Sequence, residues 1–347
     1  MGDEEEVPAG PKAPKALIVL TSVDKFPDES PTGYYLSEAT HPYFEFLKNG
    51  WEVDFASVAG TTAADPSSVE AAAADKETMA FWNDEEKKKL LDAPTTLEAL
   101  ATGETPATEL YQAIYFSGGF GAMWDFPTSE HAQALVKAFY EAGKVVAAVC
   151  HGPIVFANVA LGDETKLVAD KEMTGFSNAE EVKMEKMEVV SAPSGPGSCQ
   201  DALTASGAKF QVGLPFESQV VKVAGGEGAG ILMTGQNPAS AGPLATAIVY
   251  HFDPIKAEFE PPRLAMLTKR AVLVADIEEA EFNFVAKLDQ VKTDAAKTEE
   301  LQTLSQAGRD FRAAALADLD MQLERNATRR QAALDAKAKA EAATEEE

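Results

Sequence analysis

Val145-Val146-Ala147-Ala148-Val149-Cys150-His151-Gly152-Pro153 is the stretch that decides how this chain folds. Five apolar residues in succession are what a strand buried on both faces of a parallel sheet requires. The run stops at Cys-His-Gly-Pro and resumes as Ile154-Val155-Phe156-Ala157. That spacing predicts a strand turning sharply into an apolar helix. Such a turn lifts one side chain above the sheet edge and strains its backbone, the geometry of a nucleophile elbow. A helix starting there aims free N–H groups and its positive dipole end at the sulfur, which favours thiolate over thiol. Thiolate is the form that attacks carbonyl carbon. The alternative is an inert buried cysteine; the flanking strand, His-Gly-Pro and apolar segment favour Cys150 as a nucleophile.

Upstream, Ala16-Leu17-Ile18-Val19-Leu20 is a second wholly apolar run. Glu38 to Lys48 has helical spacing and stops at Gly50, and Trp51 to Ala56 follows as a strand. Ala113-Ile114-Tyr115-Phe116 runs into Gly118-Gly119. A helix is predicted from Ser129 to Ala142, ended by Gly143. Strands alternating with helices give an α/β fold, a doubly wound and mostly parallel sheet flanked by helices. Gly225-Gly226-Glu227-Gly228 lacks the lysine of a phosphate loop and the context of a dinucleotide fingerprint, so it reads as a hairpin.

Composition divides the 347 residues into three parts. Residues 1–13 are acidic with Pro and Gly and read as a disordered leader. Residues 14–257 hold the α/β pattern. Over 258–347 Gly and Pro nearly vanish, and Ala, Glu, Lys, Leu and Arg dominate, which predicts a C-terminal α-helical extension. Val274, Ile277, Phe284, Val285 and Leu288 recur at threes and fours, as do Phe311, Ala315, Leu316, Leu319 and Leu323. A helical hairpin or an oligomer-forming appendage both fit.

A net charge of −26 disfavours nucleic acid and anionic membrane surfaces, which require basic patches. No apolar run approaches the roughly 20 residues that span a bilayer. The first residues lack the apolar core of a secretory signal, and two cysteines do not make a disulfide framework. The expected localisation is therefore cytoplasmic, where the Asn326-Ala327-Thr328 sequon is silent. Four scattered histidines and two cysteines show no metal-ligand spacing, so no metal is expected.

An imidazole next to a nucleophile needs an orienting carboxylate, and Glu181 in Gly175-Phe176-Ser177-Asn178-Ala179-Glu180-Glu181 is a candidate partner for His151. Gly118 and Gly119 would let backbone N–H groups approach a substrate oxygen, and those of Gly119 and His151 could form an oxyanion hole. Cys199, in Ser-Gly-Pro-Gly-Ser-Cys, reads as a loop bystander or a resolving thiol for oxidised Cys150. His41 either lines the pocket or shapes its helix; His131 and His251 fall on predicted helices and read as structural.

From about Lys15 to Ile255 the chain resembles the ThiJ/PfpI superfamily, of the flavodoxin-like, class I glutamine amidotransferase-like fold. It is most similar to the branch of Hsp-type chaperones and glutathione-independent glyoxalases (glyoxalase III). The matching stretches are T-G-Y-Y-L-S-E-A-T-H-P-Y (32–43), D-P-S-S (65–68) and G-G-F-G-A-M-W-D-F-P (118–127). A-A-V-C-H-G-P (147–153), T-G-F-S-N-A-E-E (174–181) and T-G-Q-N-P-A-S-A (234–241) complete them.

The resemblance implies roles: Cys150 as nucleophile, His151 as its partner and Glu181 as the group that orients the histidine. Glu38 matches the acidic residue that hydrogen-bonds the sulfur, and it helps a thiolate only while protonated. Phe120 departs from the family pattern, which often has His there, and the helical tail is a second departure.

The implied activity is a cofactor-independent lyase of the D-lactate dehydratase type. It would convert methylglyoxal, a small dicarbonyl substrate, to lactate through a cysteine hemithioacetal, with no cofactor and no metal. Family members are commonly dimers, which implies a homodimer. Two other readings stay open: a holdase chaperone or oxidative-stress protein, and a cysteine peptidase or amidase on the same scaffold. Glutamine amidotransfer fits less well, because its histidine usually comes much later in the chain.

Overall fold

The computed structural model describes residues 13–192, 195–269 and 295–345. Apart from Ala13, the predicted leader lies outside them, and so does the apolar series Val274 to Leu288.

Among the described residues nine strands form: β1 (Lys15–Leu20), β2 (Glu52–Ser57), β3 (Thr95–Thr96), β4 (Ala113–Phe116), β5 (Val145–Val149), β6 (Glu172–Met173), β7 (Lys209–Phe210), β8 (Val220–Ala224) and β9 (Ile231–Gly235). Seven make one sheet in the order β3-β2-β1-β4-β5-β9-β8. Its pairs are parallel except β8 with β9, which are joined as the hairpin expected around Gly225–Gly228. The predicted α/β sheet flanked by helices is therefore present, with one antiparallel edge. β6 and β7 pair separately as a small parallel ribbon that sequence reading did not find.

The central strands explain their own sequences. Every residue of β4 and β5 is buried, as are Ala16 to Leu20 of β1, and strands covered on both faces have no position for a polar side chain. Leu17, Ile114, Val146 and Leu232 stack across the sheet into a core that receives Leu135, Val136 and Phe139 from the helix Glu130–Glu141. Ser129 caps that helix by accepting the Ala132 N–H, and Gly143 ends it at a φ of +72°.

The strand order puts the site where it is. The chain moves outward from β1 through β2 to β3, then returns to lay β4 on the other side of β1. At such a reversal the loops leaving the carboxyl ends of adjacent strands diverge and open a crevice. The helix α1 (Leu36–Lys48), the Gly118-Gly119 loop after β4 and the Cys150 turn after β5 all lie at that end.

The chain divides into two compact units, residues 1–249 and 250–347. In the second, a helix over 254–269 and the 51-residue helix Ala295–Glu345 form the expected helical extension. Ala315, Leu316, Leu319 and Leu323 are half-buried. Arg329 reaches Glu258 at 3.4 Å and covers the ring of buried Phe259, joining the two helices.

Candidate active site

Cys150 ends the buried strand β5 with a φ of +60°, in the left-handed region that non-glycine residues rarely adopt. Such a conformation costs on the order of 1–3 kcal/mol and persists only where neighbours over-determine it. They do so here: the Cys150 N–H donates to the Gly235 carbonyl at 2.9 Å, and its carbonyl accepts from the Phe176 N–H at 2.7 Å. The turn predicted from sequence is thus held from both sides.

Beyond the turn the chain departs from expectation. Gly152–Asn158 is a 3₁₀ helix of seven residues, nearly all buried, and not a full α-helix aimed at the sulfur. Nor is the thiol pushed down. Burial, with the Glu38 carboxyl beside it, pushes the Cys150 thiol well above its ordinary range, and the Gly119 N–H pulls the other way. At rest Cys150 is a thiol, and ionising it would require a proton acceptor.

An imidazole stands beside it. His151 Nδ1 stands 3.3 Å from Cys150 Sγ, and His151 Nε2 stands 2.9 Å from Glu181 Oε1, with all three side chains buried. A carboxylate only accepts, so it fixes the proton on Nε2 and leaves Nδ1 as the acceptor facing the thiol. Glu181 is positioned by the short helix Asn178–Lys183, whose start is locked by a capping box between Ser177 and Glu180. The rings of Phe120 and Phe176 flank the imidazole, each with its centroid 4.4 Å away.

Glu38, in the first turn of α1, is fully buried and accepts the Gly118 N–H at 2.7 Å. Burial pushes its carboxyl up to about 8, against the pull of hydrogen bonds from Cys150 and Gly118. It is therefore neutral at pH 7 and free to donate towards the sulfur. A Cβ on Gly118 would lie 2.7 Å from Glu38 Oε2 and 2.8 Å from Cys150 Cβ, so only glycine permits this approach. The Gly118 N–H is thus committed to Glu38 and unavailable to substrate. Gly119 lines the cavity beside Cys150, and its N–H is the group that draws the thiol down.

A cavity of about 70 Å³ opens over Cys150 and His151. Its walls include Tyr35, Phe120, Phe176, Met184 and Phe216. Phe216 has a φ of +63° and is fixed by Glu180 Oε1, which accepts its N–H at 2.8 Å and also binds Asn237. Sequence reading missed Glu180 as the anchor of this wall. The Ser177-x-x-Glu180 capping-box spacing was a readable sign of its structural part, whereas nothing local marks Phe216.

The remaining candidates lie apart or differ. Cys199 is not in a loop: it is the buried first residue of the helix Cys199–Ala205, with Sγ 3.8 Å from the Cys150 carbonyl oxygen. His41 pairs with Asp75 at 2.6 Å and does not line the cavity. His131 and His251 sit on helices, as expected. Among the described residues no cluster of His, Cys, Asp or Glu is arranged to hold a metal, and no helix is long and apolar enough to cross a membrane.

A family model described as the DJ-1/PfpI family matches residues 31–222, more than half of the chain. The chain belongs to the DJ-1/PfpI family. Its relatives in the glyoxalase III branch include the glutathione-independent glyoxalase HSP31 of Saccharomyces cerevisiae, 32% identical over 65% of this chain and 93% of that protein. The glutathione-independent glyoxalase hsp3102 of Schizosaccharomyces pombe is 30% identical over 69% of this chain and 97% of its own length. Among solved structures, glyoxalase III of Candida albicans aligns at 26% identity and a TM-score of 0.56, covering 68% of this chain and 96% of that one. The 24 kDa rapid encystment protein of Francisella tularensis aligns at 33% identity and a TM-score of 0.60, covering 68% and 97%. The DJ-1/PfpI match ends before the helical extension begins.

Proposed function

We propose that this chain is a glutathione-independent glyoxalase that converts methylglyoxal to lactate, with Cys150, His151, Glu181 and Glu38 as its catalytic groups. One observation carries the reading: a thiol and an imidazole on the lining of a small, mostly apolar cavity connect in series to a buried carboxylate behind them. Relatives named as glutathione-independent glyoxalases support the reaction class.

Cys150 sulfur adds to the aldehyde carbon while its proton passes to His151 Nδ1, and the imidazolium returns that proton to the new alkoxide oxygen, giving a hemithioacetal and a neutral His151. The imidazolium is stabilised through Nε2–H by Glu181. The Gly119 N–H and the protonated Glu38 face the centre where negative charge develops. Proton transfer from the former aldehyde carbon to its neighbour, through an enediol and by way of His151, leaves a thioester. Water then cleaves the carbon–sulfur bond, releasing lactate and restoring the thiol. The substrate supplies both oxidant and reductant, so the electrons balance without cofactor or metal. A homodimer, a cytoplasmic setting and a catalytic unit over 14–257 with the extension 258–347 complete the proposal.

The peptidase reading gains no support, since Cys150 is only 2% exposed and a peptide requires an open cleft. The holdase reading has one favourable observation. Val182, Val212, Leu214 and Phe216 are 62%, 50%, 66% and 43% exposed on the two segments that supply the cavity walls Met184 and Phe216. Exposed apolar surface of this kind marks interaction sites.

The test is consumption of methylglyoxal without glutathione, alongside suppression of aggregation of a heat-unfolded client protein. Turnover lost in Cys150→Ala supports the enzyme; no turnover, with client protection unaffected by that substitution, supports the holdase instead.

A further inference from the structure

The apolar lining of the cavity is Phe120, Phe176, Met184, Phe216 and Pro238, and Tyr35, Ser67 and Asp65 are its polar side chains beside Cys150 and His151. Three rings hold Phe120 in place: its own lies 4.4 Å from that of His151, 5.6 Å from that of Phe26 and 6.3 Å from that of Phe176. The charged group on the lining is Asp65, whose carboxylate is engaged by Ser67 and Thr32. Among the described residues no lysine or arginine lines the cavity. The two lysines nearby, Lys183 and Lys186, sit over the rings of Phe216 and Phe26 instead.

We infer that Phe120 is a specificity-determining residue that restricts the site to neutral 2-oxoaldehydes with an apolar substituent; the inference rests on the glyoxalase reading above. A substrate bound through its aldehyde at Cys150 must direct the group on its second carbonyl along the Phe120–Phe176 wall, where it meets carbon. A methyl group there gains by leaving water. A carboxylate or phosphate at the same place loses its hydration, finds no cation and faces the negative charge of Asp65. An imidazole in place of the Phe120 ring would give such an anion a hydrogen-bond donor. Met184 and Phe216, both partly exposed, stand at the solvent side, so the substituent has room to extend outward.

The experiment compares kcat/KM of the full-length protein for glyoxal, methylglyoxal, 4,5-dioxopentanoate and the methyl ester of 4,5-dioxopentanoate. The acid and its ester differ in charge and by one methyl group. Methylglyoxal should exceed glyoxal by about 4-fold, the value of one buried methyl group. The ester should exceed the acid by at least ~10-fold. Phe120→His should narrow the ester-to-acid ratio, and Phe120→Leu should preserve it. Equal rates on ester and acid in the unmodified protein overturn the inference while leaving the glyoxalase reading intact. Absence of turnover on all four removes that reading and the inference with it. A ratio unchanged in a folded Phe120→His variant overturns the role of Phe120. Should that variant not fold, the ratio in the unmodified protein decides.

Discussion

Cys150 and His151 are consecutive in the chain, yet His151 Nδ1 comes within 3.3 Å of Cys150 Sγ. The side chains of neighbouring residues in a strand point to opposite faces. The left-handed backbone of Cys150 breaks that alternation and lets the imidazole fold back onto the sulfur. Backbone strain and the proposed nucleophile therefore share one residue, and both can be measured.

The strain should be visible in stability. Cys150→Gly removes the Cβ that the φ of +60° penalises, whereas Cys150→Ala keeps it. The glycine variant should be the more stable of the two by about 1 kcal/mol in denaturant unfolding. The reverse order would mean that the turn is not strained.

Glu181→Gln replaces a group that only accepts with one that also donates. The proton on His151 Nε2 is then no longer fixed, and Nδ1 loses its preference for accepting from the thiol. kcat should fall by about 10² or more with little change in KM. A parallel rise in KM would point to a collapsed cavity instead.

Glu38 sets an alkaline limit. Its carboxyl is pushed up to about 8 by burial, so below that pH it is neutral and donates. Above it, a carboxylate faces the sulfur and opposes the negative charge that forms there. kcat/KM should decline above about pH 8, and Glu38→Gln, which does not ionise, should remove that limb. An alkaline limb unchanged in the variant would assign it to another group.

Folding stability should carry a related signature. Burial pushes Glu38 up to about 8 and Asp125 up to about 7. Both groups hold protons more tightly in the folded chain than in the unfolded one. Between about pH 4 and 8 their joint contribution therefore falls as pH rises. Denaturation midpoints at pH 5 and pH 8 should differ less in a Glu38→Gln, Asp125→Asn double variant than in the unmodified protein. An equal or larger difference contradicts the assignment.

Gly118→Ala places a methyl group 2.7 Å from both Glu38 Oε2 and the Val149 carbonyl oxygen. The carbonyl belongs to the central sheet and does not yield. The substitution should destabilise the protein by about 2 kcal/mol or more and lower activity with it. A neutral effect would show that the loop has more room than its contacts indicate.

Much of this was legible in the sequence, and the boundary of legibility has a physical cause. β1, β4 and β5 announce themselves because strands covered on both faces need unbroken apolar runs. The helix Glu130–Glu141 shows its Ser129 cap and Gly143 stop. Cys150, His151 and Glu181 were readable because a short motif carries each of them. Other features depend on contacts distant in the chain. The Phe216 backbone is fixed by Glu180, 36 residues away, and Cys199 reaches its buried place through a partner 49 residues away. The 3₁₀ form of Gly152–Asn158 and the two-residue strands β6 and β7 are too short to carry a periodic signal. The state of the thiol is set by burial and by Glu38, which lies in another element altogether.

Whether the Cys150 sulfur forms a covalent bond to the substrate is measured most directly by rapid acid quench followed by peptide mass spectrometry. Unmodified protein quenched during turnover of methylglyoxal should carry one substrate mass on the peptide containing Cys150, and none on the peptide containing Cys199. Turnover by the unmodified protein with no Cys150 adduct trapped, and turnover persisting in Cys150→Ser, would contradict it.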